Sequence, residues 1–158
     1  MKNQIPLSKA PTDKWLDWLS LAALAFTWIY LLIHYAGLPD TIPVHFNAKG
    51  EIDQYGDKTN LFILPVIITL AAIMVTVVAG LSSRSDHPRG IDTETFLQKQ
   101  KRATRILRVV RLVFLVFTAG IMVFIIDASG KQGSSLPWWV LWVFIAGMLA
   151  PVMLGVST

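Results

Sequence analysis

Long apolar runs alternate with short polar segments along the chain, and the length of each run predicts the architecture. Four runs lie at about 16–36, 61–81, 106–126 and 136–156. Each approaches the roughly 20 apolar residues that a helix needs to cross a bilayer core. Because backbone groups in hydrocarbon must bond within their own segment, the runs predict helices rather than strands. The pattern therefore predicts an all-α integral membrane protein, a four-transmembrane-helix bundle forming a single membrane domain over residues 1–158.

Composition supports a membrane solvent for these runs. Hydrophobic residues make up 54% of the chain and charged residues 15%, and the mean hydropathy is +0.55. A soluble domain carries about 25% charged residues, because a small globule has a large surface to cover. The chain also contains no cysteine, which excludes disulfides, thiolate metal sites and a cysteine nucleophile. Membrane lipids are therefore the first expected partner.

The positions of lysine and arginine predict the orientation of the spans. Basic residues cluster before the first run and in the loop and helix start at 82–105, whereas the loop at 37–60 is rich in acidic residues. By the positive-inside rule, both termini and the segment 82–105 face the cytoplasm and the loop 37–60 faces outward. This predicts a multi-pass membrane protein with cytoplasmic termini. The net charge of +4 is assigned to anionic headgroups, so no direct nucleic-acid partner is expected.

Four arginines cluster where the third run begins, at Arg102, Arg105, Arg108 and Arg111. The last three recur at every third position, which predicts a basic stripe along one side of a helix that starts near Thr93. Long arginine side chains lie along apolar surface and reach headgroup phosphates. The stripe is interpreted either as an anchor that sets orientation or as a docking surface for lipid or a cytoplasmic partner.

The outer loop predicts a small extracytoplasmic β-hairpin. Pro39 and Pro43 favour extended backbone before them, and Val44-His45-Phe46 is expected to form the first strand. Residues 47–50 have turn chemistry, with Gly50 free to adopt a positive φ. Residues 51–55 then return as the second strand. The hairpin is expected to pack on the helix ends through four side chains: Ile42, Phe46, Ile52 and Tyr55.

These residues also carry a resemblance to a known family. Leu38-Pro39, then Ile42-Pro43-Val44-His45-Phe46-Asn47, then Gly50, Asp53, Gly56 and Lys58 resemble a bacterial membrane module of unknown function. That module forms the N-terminal part of the SdpI family of immunity proteins. The resemblance implies protection against a secreted toxic peptide, and in some members recruitment of a cytoplasmic repressor to the membrane. The further membrane-spanning half of SdpI-type proteins is missing from this four-run pattern.

The candidate binding or motif residues all lie in this loop: Pro39, Pro43, His45, Phe46, Asn47, Gly50, Asp53 and Lys58. Asn47 is interpreted as a turn residue that bonds nearby backbone. Lys58 is expected to pair with Asp53 or Asp57, or to lie at the headgroups. His45 is expected to hydrogen-bond across the hairpin. A Zn²⁺ site or a pH switch at His45 stays open, with His34 and Asp53 as weak candidate ligands.

The leading hypothesis is a non-enzymatic SdpI-like protein that meets a toxic peptide or an envelope component through the outer loop. No nucleophile elbow, catalytic triad or phosphate-binding loop is visible in the sequence, so no enzyme activity and no cofactor are expected. Two alternatives remain open. One is a metal-dependent membrane enzyme or sensor centred on His45. The other is a structural subunit or homo-oligomer whose small residues in the spans permit close helix approach.

Overall fold

The structure is a computed structural model that describes residues 11–47, 49–82 and 93–130, together with Trp142, residues 145–147, Leu149 and Met153. Within these residues the chain forms helix α1 (Pro11–Tyr35), strands β1 (Thr41–Phe46) and β2 (Ile52–Asp57), a 3₁₀ turn (Lys58–Phe62), helix α2 (Ile63–Ser82) and helix α3 (Thr93–Ser129). The protein is thus mostly helical with one small antiparallel sheet.

Three helical segments of the described residues are long and apolar enough to cross a membrane: Asp13–Tyr35, Lys58–Leu81 and Glu94–Ser129. Large apolar side chains remain exposed along all three, for example Ile33, Leu70 and Val116. Exposed apolar surface on this scale needs lipid or protein against it. These helices therefore indicate a membrane protein. The predicted fourth span, 136–156, lies mostly outside the described residues, and the membrane and the orientation of the termini stay predictions.

Helix α3 continues without a break from the basic segment into the apolar run, as the arginine pattern predicted. At about 1.5 Å per residue its 37 residues span about 55 Å, which exceeds a bilayer core of about 30 Å. Helix α1 likewise begins earlier than the apolar run, at Pro11. Proline suits a first helical position because its missing N–H would be unpaired there anyway. The apolar runs thus located the spans but not the helix ends.

The three helices pack in an up-down-up arrangement, with α3 lying against both α1 and α2. Leu31 of α1 meets Met122 and Ile126 of α3 in the buried apolar cluster, together with Ile42 and Leu61. Toward the other end of the same two helices, Asp17 of α1 meets Arg111 of α3. Helices α1 and α3 are therefore parallel. Helix α2 runs opposite to them, because it starts at the hairpin and reaches Arg111 through Thr76.

The predicted hairpin is present at the end of the bundle where α1 and α3 finish. Strand β1 pairs antiparallel with β2, from Thr41 opposite Asp57 to Phe46 opposite Ile52. Gly50, in the connecting turn, has a φ of 80°, a left-handed value that glycine adopts without strain. Ile42 is 1% exposed in the cluster, and Phe46 lies 5.5 Å from Phe124 between ring centroids. The hairpin is thus fixed to the helix ends.

One packing prediction for the hairpin is wrong. Tyr55 was expected to pack on the helix ends, but its side chain is 57% exposed. A register shift between Pro43 and His45 interrupts the regular alternation of faces that the expectation assumed. Asp57 caps the 3₁₀ turn that follows β2 by accepting a hydrogen bond from the Thr59 backbone N–H.

Candidate functional site

The hairpin turn is built by Asn47, as its position in the sequence predicted. Its side-chain Oδ1 accepts hydrogen bonds from the backbone N–H of Lys49 at 2.9 Å and of Glu51 at 3.0 Å. Its Nδ2 donates to Glu51 Oε2 at 2.9 Å. The Gly50 N–H donates to the Asn47 carbonyl. One asparagine therefore satisfies most of the polar groups of the turn, which gives the hairpin a defined tip.

His45 makes the cross-strand contact that the sequence suggested. Its Nδ1 lies 2.6 Å from Asp53 Oδ1, and both side chains are exposed. His34, the other candidate metal ligand, lies on α1, where its Nδ1 bonds the Tyr30 carbonyl oxygen at 2.8 Å. Among the described residues, no group of three histidine or acidic side chains is placed to hold a metal ion. His45 and Asp53 thus form an exposed pair, and a metal role for them stays a prediction.

The predicted partner of Lys58 is wrong. Its ammonium lies 2.9 Å from Asp40 Oδ1 rather than beside Asp53 or Asp57, and 5.6 Å from the centre of the Tyr35 ring. The Lys58 backbone N–H also donates to the Asp40 carbonyl at 3.0 Å. Asp40 precedes β1 and Lys58 follows β2, so antiparallel pairing brings the two together. Lys58 therefore closes the open end of the hairpin.

One proline and the second glycine of the motif, Pro43 and Gly56, serve the packing of the hairpin. Pro43 is buried and Pro39 is exposed. At Gly56 an added Cβ would lie 2.9 Å from Asn60 Nδ2 and 3.0 Å from Val44 Cγ1, closer than a carbon atom fits. Phe46 packs on Phe124 of α3. Most of the motif thus shapes the hairpin. Its exposed polar side chains are His45 and Asp53, and the aromatic side chain of Tyr55 is exposed beside them.

A second candidate site lies at the other end of the bundle, where the basic stripe of α3 meets α1. Its ion pairs join Asp13 to Arg105 at 3.4 Å and to Arg108 at 3.2 Å, and Asp17 to Arg108 at 3.5 Å and to Arg111 at 2.7 Å. We call these five residues the arginine–aspartate network. Asp13 and Asp17 share one helix face because they are four residues apart. The parallel helices place them beside arginines spaced at every third position.

The arginines of the predicted docking stripe occupy different environments. Arg108 and Arg111 are each 8% exposed, and Arg111 Nη1 donates to Thr76 Oγ1 of α2 at 2.7 Å. Arg105 is exposed and Arg102 is half-buried. The stripe therefore faces α1 at its membrane end and opens toward its N-terminal end. Docking of lipid or of a cytoplasmic partner on these residues stays a prediction.

Comparison with known proteins concerns the hairpin half of the molecule. Residues 22–69 match the model of a domain of unknown function (DUF1648). An uncharacterized protein of Archaeoglobus fulgidus is 38% identical over 79 residues, which cover 50% of this chain and 43% of that protein. No solved structure gives a significant match. The DUF1648 match contains the whole predicted motif and does not include the charged residues of the network. The sequence predicted the arginine stripe but not its pairing with Asp13 and Asp17.

Proposed function

We propose that this chain is a non-enzymatic, multi-pass protein of the bacterial cytoplasmic membrane, similar to SdpI-type proteins, that protects the cell by binding a membrane-active toxic peptide at its hairpin. The observation that carries the proposal is the contrast in burial within the hairpin. Ile42 and Pro43 are buried, whereas Tyr55, His45 and Asp53 remain exposed. A fixed hairpin with exposed aromatic and polar groups is suited to binding.

The geometry of the sheet favours an extended peptide as the bound molecule. Among the described residues, β2 pairs with β1 alone, so the other edge of β2 offers backbone groups to an added strand. Strand addition draws affinity from main-chain hydrogen bonds and specificity from neighbouring side chains. Tyr55 is the large side chain on this strand, and tyrosine supplies contact area at low entropic cost. The resemblance of the hairpin motif to SdpI-type immunity proteins supports the same assignment.

Survival of a toxin-sensitive bacterial strain tests the proposal. The strain expresses the full chain and is challenged with a panel of membrane-active peptides, and we expect protection against at least one. Tyr55→Ala should lower the highest peptide concentration that the cells survive about tenfold, because an aromatic anchor for the peptide is lost. Ile33→Ala is the matched control, because Ile33 is also a large exposed side chain but lies on α1. It should protect like the wild type.

Two outcomes would contradict the proposal. No protection against any peptide of the panel, at wild-type levels of protein in the membrane fraction, would remove the immunity function. Protection that is equal for wild type, Tyr55→Ala and the double variant His45→Ala/Tyr55→Ala would remove the hairpin as the binding site. Immunoblots of the membrane fraction separate loss of protein from loss of binding.

A further inference from the structure

A cleft of about 390 Å³ opens between α1 and α2, and its chemistry changes along its length. The two helices meet near the hairpin, where Trp28 Nε1 donates to Thr69 Oγ1 at 3.1 Å. Farther from the hairpin, α1 and α2 each pack against α3, and the cleft lies between α1 and α2. Asp17, Thr76 and Arg111 line its polar end. The cleft therefore adjoins the arginine–aspartate network.

Apart from Ser20, the rest of the cleft wall is apolar. Leu21 and Leu24 line it from α1, Ile73 lines it from α2 and Leu115 lies at its base on α3. On each helix these apolar residues lie nearer to the hairpin than the polar residue of the cleft does, which is Asp17 on α1, Thr76 on α2 and Arg111 on α3. The cleft thus has one charged end, and its apolar part extends into the membrane-spanning part of the bundle. This arrangement is complementary to an amphiphile, a molecule with a polar head and an apolar tail.

Arg111 gives a specific reason to expect a polar group at the charged end. Its side chain is 8% exposed, and its Nη1 and Nη2 donate to Thr76 and Asp17. Within the described part of the chain its Nε is buried without a hydrogen-bond partner. A buried donor left unpaired is costly, and most such groups in native proteins have a partner. A hydrogen-bond acceptor in the cleft, which Arg111 lines, would lie beside a guanidinium group with an unused donor.

The local charge indicates that this acceptor is anionic. In the network, three guanidinium groups share two carboxylates, because Asp13 pairs with Arg105 and Arg108 and Asp17 pairs with Arg108 and Arg111. Among these five residues, the three positive charges exceed the two negative charges by one. A phosphate suits arginine because its oxygens accept the planar donors of a guanidinium.

The depth of Arg111 fits a phospholipid headgroup rather than a ligand from solution. At about 1.5 Å per residue, Arg111 lies about 27 Å along α3 from Ser129, where the helix ends beside the hairpin. The hydrocarbon core is about 30 Å thick. When the hairpin rests at one membrane surface, Arg111 is at the level of the opposite headgroups. The apolar part of the cleft then lies at the depth of the first acyl carbons.

We propose that the cleft between α1 and α2 binds one anionic phospholipid, with its phosphate at Arg111 and an acyl chain between Leu21, Leu24 and Ile73. The bound lipid completes the hydrogen bonding of Arg111 and fills the space between the helices. The charged residues of the site, Asp17 and Arg111, lie outside the matched region 22–69. The proposal does not depend on peptide binding at the hairpin.

Native mass spectrometry of the purified, delipidated full chain tests the site. The probes are phosphatidylglycerol, phosphatidylcholine with the same acyl chains, and inorganic phosphate. We expect one molecule of phosphatidylglycerol to bind at least about fivefold more tightly than phosphatidylcholine, the preference that one interfacial charge provides. Leu21→Trp fills the cleft without changing the ion pairs, so it should abolish this preference. Leu32→Trp is the matched control, because Leu32 is an exposed leucine of α1 outside the cleft.

Several results would overturn the proposal. Equal binding of the two phospholipids would exclude a charge-selective site, and equal behaviour of Leu21→Trp and Leu32→Trp would place the lipid elsewhere. Thermal stabilisation by inorganic phosphate alone, to the same extent as by phosphatidylglycerol, would exclude the acyl chain. The sequence has no cysteine, so Leu24→Cys paired with single cysteines introduced along 136–156 reports cleanly on another occupant. Efficient cross-linking there would show that the fourth apolar run fills the cleft.

Discussion

The two ends of the bundle use charge in different ways. At the hairpin end, the pairs His45–Asp53 and Lys58–Asp40 each include a largely exposed partner, and buried apolar side chains hold the hairpin in place. At the other end, the arginine–aspartate network lies between α1 and α3, with Arg108 and Arg111 buried. Exposed pairs contribute about 0–1 kcal/mol, whereas breaking a buried pair costs several times more. The hairpin end is therefore held by apolar contacts, whereas the other end is sensitive to the loss of a single charged partner.

Arg111→Leu should have the largest effect, because it leaves Asp17 in the bundle without its closest cation and Thr76 without its donor. We expect a loss of about 4 kcal/mol in the free energy of unfolding, the cost of removing one member of a buried pair. Denaturant titration in mixed micelles measures this loss. Hydrogen exchange of the hairpin amides should change little in the same variant, since the hairpin is held by different contacts.

The double variant Asp17→Leu/Arg111→Leu distinguishes the attraction within the ion pair from the cost of leaving one buried charge unpaired. Replacing both partners with apolar residues removes the uncompensated charge, so most of the stability lost in Arg111→Leu should return. Lys14→Ala, which removes an exposed charge of the same helix, is the control and should lie near wild type. If the double variant is as unstable as Arg111→Leu, the pair itself stabilises the bundle and the comparison of the two ends becomes sharper still.

Ile42→Ala tests the apolar end and should have the second largest effect. The Ile42 side chain is 1% exposed and packs with Leu31, Leu61 and Met122. Truncating it leaves a cavity, and we expect a loss of about 3 kcal/mol. The loss should appear first as faster hydrogen exchange in the hairpin. Tyr55→Ala, on the exposed side, should change stability by less than about 0.5 kcal/mol. Equal losses in both variants would mean that the hairpin is not anchored through Ile42.

The hairpin end could be predicted from sequence because its determinants are local. Asn47 and Gly50 specify the turn within four residues, and the turn places the two flanking strands beside each other. Tyr55 was the exception, because the register shift in β1 depends on how the strand meets the helix ends. Lys58 was a second exception, since the sequence offered three nearby carboxylates and only the closed hairpin selects Asp40.

The network could not be predicted from sequence because its partners are far apart in the chain. The hydrogen bond from Arg105 to Asp13 spans 92 residues and that from Arg111 to Asp17 spans 94. The available signal was the presence of two acidic residues four apart at the start of an apolar helix. Charges entering an apolar span are costly unless paired, so such a spacing indicates a partner on another helix.

The smallest expected effect is a pH dependence at the hairpin end, where Asp57 caps the 3₁₀ turn. The hydroxyl and backbone N–H of Thr59 hydrogen-bond the Asp57 carboxylate and lower its pKa below the ordinary value of 3.8. Because the folded state has the lower pKa, the stabilisation is complete above that ordinary value and is lost as the pH falls through the folded-state pKa.

Hydrogen exchange of the Thr59 amide should therefore accelerate as the pH falls from neutral to about 2, after correction for the intrinsic exchange rate. Asp57→Asn keeps an acceptor for the Thr59 N–H but does not titrate, so its corrected exchange should stay flat over the same range. An equal pH dependence in both proteins would assign the effect to other carboxylates, and the charges of the hairpin end would then contribute even less to its stability than the comparison with the arginine end implies.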